Sequence, residues 1–206
     1  IAILAQSNGT NNLAASQATI TGNIEADGGR NILIFGSILQ QQASSLDTKV
    51  SKIIGDIKAN GNGSNTITFN NAGSIQGTIL AGSGGYEGIN TITFKDNATI
   101  GNTSSEDASA LSANTSSLIA NNASNGNTQK RNTLTFEGTT NHIVFNEVKA
   151  IGHGNTKNIL IFNNSNAANT FTIEKAMMAE RGVNSIAKAD LSSINNNGFT
   201  FSPAST

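Results

Sequence analysis

The sequence predicts an all-β protein: a right-handed parallel β-helix of about seven coils, with loop and short-helix insertions. Three observations carry this. A segment of the form apolar-x-Gly-x-apolar-x-Ala recurs, as in Ile20 to Ala26, Ile53 to Ala59 and Ile75 to Ala81. A second segment, Asn-x-apolar-x-Phe, follows it, as in Asn65 to Phe69 and Asn90 to Phe94. Both alternate with period two, so each reads as a strand with one buried face. A unit repeated in this way buries its apolar side only against its neighbours, which is the signature of a solenoid.

The Ala-terminated half begins, truncated, at Ile3 to Ala5. It returns at Ile20, Ile53 and Ile75, weakly at Leu118 to Ala120, and again at Val144 to Ala150 and Ile173 to Ala179. The Asn-headed half follows at Asn11, Asn31, Asn65, Asn90, Asn132 and Asn158. For the last slot Asn184 competes with Asn197, and Asn197 is chosen because only it carries the full pattern, with Phe199 and Phe201. Phe35, Phe69, Phe94, Phe136, Phe162 and Phe201 each stand four residues after such an asparagine, six of the 9 phenylalanines, and predict one internal stack. Leu33, Ile67, Ile92, Leu134 and Leu160 form an aliphatic ladder beside it, while the asparagines stand at a bend where amides bond one another and the backbone.

Asn-to-Asn spacings of 20, 25 and 26 suit a coil of three short strands; the longer ones need insertions, which lengthen a closed loop at little entropic cost. These fall near residues 39–51, 102–131 (102–117 with 121–131) and 180–196. The first has Leu46 and Val50 at helical spacing and predicts a short helix; the second is Ser/Asn/Ala-rich and reads as a surface loop. Residues 1–206 are thus expected to form a single β-helix about 35 Å long, at roughly 4.8 Å per coil. The opening Ile1-Ala-Ile-Leu-Ala5 has no basic segment before it, so the chain is expected to be a mature protein or a piece of a larger one.

Charged residues are 12 % and the net charge is −1, which leaves no electrostatic footprint for nucleic acid. No apolar run reaches the roughly 18 residues of a membrane-spanning helix. Cysteine is absent, which rules out a disulfide scaffold. His142 and His153 lack metal-ligand spacing, so no metal or cofactor is expected. His153 reads as a turn residue, and Gly82-Ser-Gly-Gly85 as a turn, not a nucleophile elbow.

A carbohydrate-acting enzyme would need two carboxylates about 5–10 Å apart. Asp56, Glu147 and Glu174, with Lys58 and Lys149, are the candidates for one face, but period-two alternation alone also places them there. No catalytic residue is assigned, and the chain reads as a non-enzyme. Outward Thr-x-Thr pairs such as Thr66 and Thr68 suggest an ice-binding array, which Ile32 with Ile34 and Ile159 with Ile161 interrupt. Those four isoleucines face away from the core and mark a contact surface, for a partner or for the chain's own insertions.

The Asn-Thr-Ile-Thr-Phe and Asn-Thr-Leu-Thr-Phe strings, the Gly-Ser-Ile-Gln-Gly and Ala-Thr-Ile-Gly segments and the cysteine-free Asn/Ser/Thr/Gly composition resemble the passenger of a type V autotransporter. The nearest in style are the vacuolating-cytotoxin-like passengers of Helicobacter and Campylobacter relatives. The resemblance covers nearly the whole chain but lies in repeat style. It implies export across the outer membrane, display on the cell surface or release, and action by adhesion, self-association or host colonisation, in a few cases as a toxin. The implied partners are a host-cell surface protein or glycan, or like passengers. The translocating barrel is then expected outside this fragment, and no cytotoxin site maps onto it. A structural stalk for an effector domain elsewhere, or a carbohydrate-acting β-helix enzyme, is the alternative.

Overall fold

The computed structural model describes residues 2–36, 50–83, 87–101, 116–120, 129–152, 156–164, 168–180, 182–188 and 199–201. The first coil carries β1 (Ile3–Ala5) and β2 (Thr10–Ala15), and the second β3 (Thr19–Thr21), β4 (Ile24–Ala26) and β5 (Arg30–Phe35). The third has β6 (Ser51–Ile54), β7 (Ile57–Ala59) and β8 (Gly63–Phe69); the fourth β9 (Gly73–Gln76), β10 (Ile79–Ala81) and β11 (Gly88–Phe94). The fifth has β12 (Ala98–Ile100), β13 (Ser117–Ala120) and β14 (Lys130–Phe136). In the last two full coils the first two strands fuse, giving β15 (Thr140–Ala150) with β16 (Thr156–Phe162), then β17 (Ala168–Ala179) with β18 (Val183–Lys188). β19 (Phe199–Phe201) follows.

Every strand pairs in parallel with its counterpart one coil away. The Asn-headed strands make a 7-stranded sheet in the order β18-β16-β14-β11-β8-β5-β2. The remaining strands make a 12-stranded sheet of two ladders joined at β15, because that strand spans both. Parallel strands stacked in coil order are the β-helix architecture the repeat predicts.

In coils two to four, a glycine separates the two ladders of the larger sheet. Gly22, Gly55 and Gly77 have φ of 110°, 142° and 139°, values that side chains rarely adopt. A Cβ on Gly55 would lie 2.5 Å from the Gly22 carbonyl oxygen, so the corner is also tight. Coil six has no glycine there. Its β15 runs through the corner as one continuous strand, and the bulge lies on β17, which places one extra residue between Ile173 and Ala176 opposite Phe145 to Glu147. That corrects the assignment of Val144 as inward: Ile143 and Phe145 are buried and Val144 is half-buried between them. In coil seven Phe171 pairs with Ile143 and Ile173 with Phe145, so the inward run starts two residues earlier than the motif suggests.

The core is the space between the sheets. Phe35, Phe69, Phe94, Phe136 and Phe162 stack face to face with ring centroids 4.9, 4.8, 5.6 and 4.9 Å apart. Phe201 belongs to β19, outside the smaller sheet. It pairs with Ile173 on the larger sheet, and Phe171 closes the stack edge-on, 6.1 Å from Phe162. Leu33, Ile67, Ile92, Leu134 and Leu160 are fully buried as the aliphatic ladder.

The asparagine ladder runs Asn11, Asn31, Asn65, Asn90, Asn132, Asn158, Asn184. Each of the first six donates through Nδ2 to the Oδ1 of the next at 2.7–2.8 Å. Each also donates to a main-chain carbonyl, those of Glu25, Lys58, Leu80, Ile119, Lys149 and Met178, at 2.7–2.9 Å. A buried amide is thereby satisfied on both hydrogens and its oxygen, which makes a polar column tolerable in an apolar rod. The seventh slot belongs to Asn184 and not Asn197, which lies outside the described residues. Aromatic spacing favoured Asn197, but the ladder requires only an amide in register. Asn141 and Asn169 form a second, shorter rung pair at 2.7 Å, also buried, which the repeat did not foretell.

Of the expected insertions, 39–51 lies outside the described residues apart from Val50 and Ser51, and Ser51 opens β6. The helix expected there also falls outside them. Within 102–131, Ser117–Ala120 is a strand and Lys130 opens β14. The 180–196 assignment is corrected: Val183–Lys188 is the seventh strand of the smaller sheet.

Candidate interaction face

The outer side of the 7-stranded sheet is the most regular surface of the rod. Register puts Asn12, Ile32, Thr66, Thr91, Thr133, Ile159 and Ser185 in one outward column. Ala14, Ile34, Thr68, Thr93, Thr135, Ile161 and Ala187 make the second. Neither column contains a charged side chain. The alternation that turns Phe and Leu inward forces these residues out, and outward Thr and Ile are what a strand surface favours. No register shift interrupts this sheet.

Ile32, Ile34, Ile159 and Ile161 are all half-buried on this face, as their parity predicts. They do not form one patch. Three Thr-x-Thr strands, β8, β11 and β14, separate β5 from β16, a distance of about 19 Å at the inter-strand spacing. The face is therefore an Ile-Thr-Thr-Thr-Ile series across five coils, with small residues beyond each end.

The larger sheet carries the carboxylates. Lys58 pairs with Asp56, just before β7, at 3.0 Å, and Lys149 with Glu147 within β15 at 2.6 Å. Asp56 Oδ1 also accepts the Thr78 amide at 2.9 Å, continuing a rung in which Asn23 Oδ1 accepts the Asp56 amide at 3.0 Å. Asp56 and Glu147 stand three coils apart, about 14 Å, farther than the pair separation used in glycoside hydrolysis. Glu147 pairs with Ala176, so Glu174 lies outside their column, exposed to solvent. His142 is half-buried on the outer side of β15, and His153 lies outside the described residues. Among the described residues no cluster of His, Cys, Asp or Glu has the shape of a metal site. Ser83 belongs to a turn: its Oγ accepts the Gly61 amide at 2.8 Å and its own amide donates to the Gly61 carbonyl at 3.0 Å.

Sequence reasoning missed Lys130. It is fully buried, in the column that Gly63 and Gly88 occupy in the two coils before it. Burial pushes its ammonium below the usual lysine range, and the Glu87 carboxylate opposes that shift. Lysine at a strand start ordinarily reads as solvated, so the repeat contained no signal for it.

No family model, curated protein or solved structure matches this chain. Among the described residues, no helix is long and apolar enough to cross a membrane.

Proposed function

We propose that this chain is the β-helical passenger of a bacterial autotransporter, shown on the cell surface or released, and that it acts by binding. One observation carries the reading: the two central outward columns of the 7-stranded sheet are uncharged through all seven coils, and the outward charges Arg30, Arg131 and Lys157 stand only in the column at the strand starts. A solvated strand face with no other task ordinarily mixes in charged residues, as the larger sheet does with Glu25, Lys52, Asp56 and Lys58. An ordered apolar and hydroxyl surface is suited to adhesion or self-association. The engaged and widely spaced carboxylates of the larger sheet support a non-enzymatic role. The resemblance of the repeat to type V passengers supplies the context of export and colonisation.

Two experiments test this. In whole bacteria, protease shaving should release the chain, and full protection from external protease counts against surface display. The purified chain, presented on glycan arrays and to host cells, should show saturable binding that Thr91→Arg removes. Binding to neither surface, together with absence of self-association, would leave the stalk reading in its place.

A further inference from the structure

Resting on the binding reading, we propose that the outer face of the 7-stranded sheet docks a second copy of this chain, with the two rods parallel and face to face. The geometry points to a two-fold axis along the stack, over the column of Leu33, Ile67, Ile92, Leu134 and Leu160. Such an axis lays each strand antiparallel across its own counterpart, a self-complementary contact. Ile32 then meets Ile34 of the second copy, Ile159 meets Ile161, and the Thr columns meet each other.

The flanks choose the orientation. Each outward position three residues before the central column meets the one three residues after it. Arg131 thus faces Glu137 of the second copy, twice by symmetry, since they flank Leu134 on either side. The other coils bring Arg30 to Gly36, Ser64 to Asn70, Ile89 to Lys95 and Lys157 to Asn163, with no like charges opposed. Glu137 and Lys95 are exposed, and among the described residues the buried Nε of Arg131 has no hydrogen-bond partner in the chain. Reversing one rod instead sets Arg30 against Lys157 and Lys95 against itself, which repel. Six-residue strands about 20 Å long, across seven coils spanning about 34 Å, offer on the order of 700 Å² per copy, or 1,400 Å² for the pair, within the range of specific complexes.

Sedimentation equilibrium of the chain across a concentration range tests the docking. Wild type should dimerise, Arg131→Glu and Glu137→Arg should each weaken dimerisation at least about tenfold, and the double exchange should restore it to within about threefold. Orientation is read by disulfide trapping in the cysteine-free background. Thr91→Cys mixed with Thr93→Cys should cross-link, and Thr91→Cys alone should not, because Thr91 faces Thr93 of the second copy. Efficient trapping of Thr91→Cys alone would overturn the parallel arrangement. A strictly monomeric wild type with native circular dichroism, or a double exchange as weak as the single variants, would overturn the second-copy proposal. If that monomer still bound cells through Thr91, the binding reading would stand with a different partner.

Discussion

The two sheets are built from the same coils, yet only their inner sides are alike. Inside, each contributes buried apolar residues in register, and asparagine amides on one reach carbonyls on the other. Outside, the larger sheet has glycine corners, a bulge and ion pairs, whereas the smaller has an unbroken register and two uncharged central columns, with its outward charges Arg30, Arg131 and Lys157 confined to the strand starts. Packing dictates the inner residues of both sheets and leaves the outer ones free. Where the outer residues still follow a pattern, something other than the core selects it. The proposed contact surface lies on the smaller sheet for that reason, and the repeat itself serves stability.

Substitutions that break the shared interior should have the largest effects. Phe94 sits in the middle of the stack, between Phe69 and Phe136, and its truncation to alanine opens a cavity. Phe94→Ala should reduce stability by about 3–5 kcal/mol, read as a lowered urea midpoint. Asn90→Leu should cost about 3 kcal/mol, because Asn65 Nδ2, the Ile119 carbonyl and Asn132 Oδ1 each lose a partner. If Asn90→Leu left the urea midpoint unchanged, the ladder would be no more than an ornament of the core. In contrast, Thr93→Ala on the outer face should change stability by less than about 0.5 kcal/mol.

The corner between the two ladders sharpens the comparison further. Gly55→Ala forces a side chain into positive φ against the Gly22 carbonyl and should cost about 1–3 kcal/mol. Val144→Ala, on the strand that passes the same corner without a glycine, should cost less, since Val144 is only half-buried and its φ is not positive. Equal losses for the two would show that the glycine conformation is not what shapes the corner.

Lys130 gives a small effect of the opposite sign. Lys130→Met removes a charge from a buried site and should raise stability by about 1 kcal/mol at neutral pH. The sign with pH follows from the lowered pKa. Below it the folded state holds a proton at a penalty; as pH rises toward the unfolded value of 10.5, that penalty disappears. The advantage of Lys130→Met over wild type should therefore shrink through that window, and an advantage that grew would show that the native state favours the charged form.

The architecture was legible because period-two alternation and the Phe and Asn columns report directly on which residues face the core. The parity of Ile32, Ile34, Ile159 and Ile161 was legible for the same reason. Their separation into two pairs was not obvious, since adjacency across coils depends on register, which emerges only when every strand is paired. Aromatic spacing misplaced the last coil because Phe199 and Phe201 imitate the ladder pattern while pairing with β17 on the other sheet. Asn184 heads a strand in which Lys188 takes the phenylalanine position, so the amide column continues after the ring column has ended. Lys130 stayed hidden because the positions before it in its column, Gly63 and Gly88, are glycine, which carries no information about burial. The two uncharged outward columns could have been read by listing outward positions alone, once seven coils were in register.

The most direct test of the account compares one arginine on each sheet. Thr91→Arg lies at the centre of the uncharged columns, and Gln76→Arg on the outer side of the larger sheet, both half-buried. Self-association should be unaffected by Gln76→Arg and weakened at least about tenfold by Thr91→Arg, with both variants folded by circular dichroism. Equal effects of the two variants, or loss only with Gln76→Arg, would contradict the assignment of binding to the 7-stranded sheet.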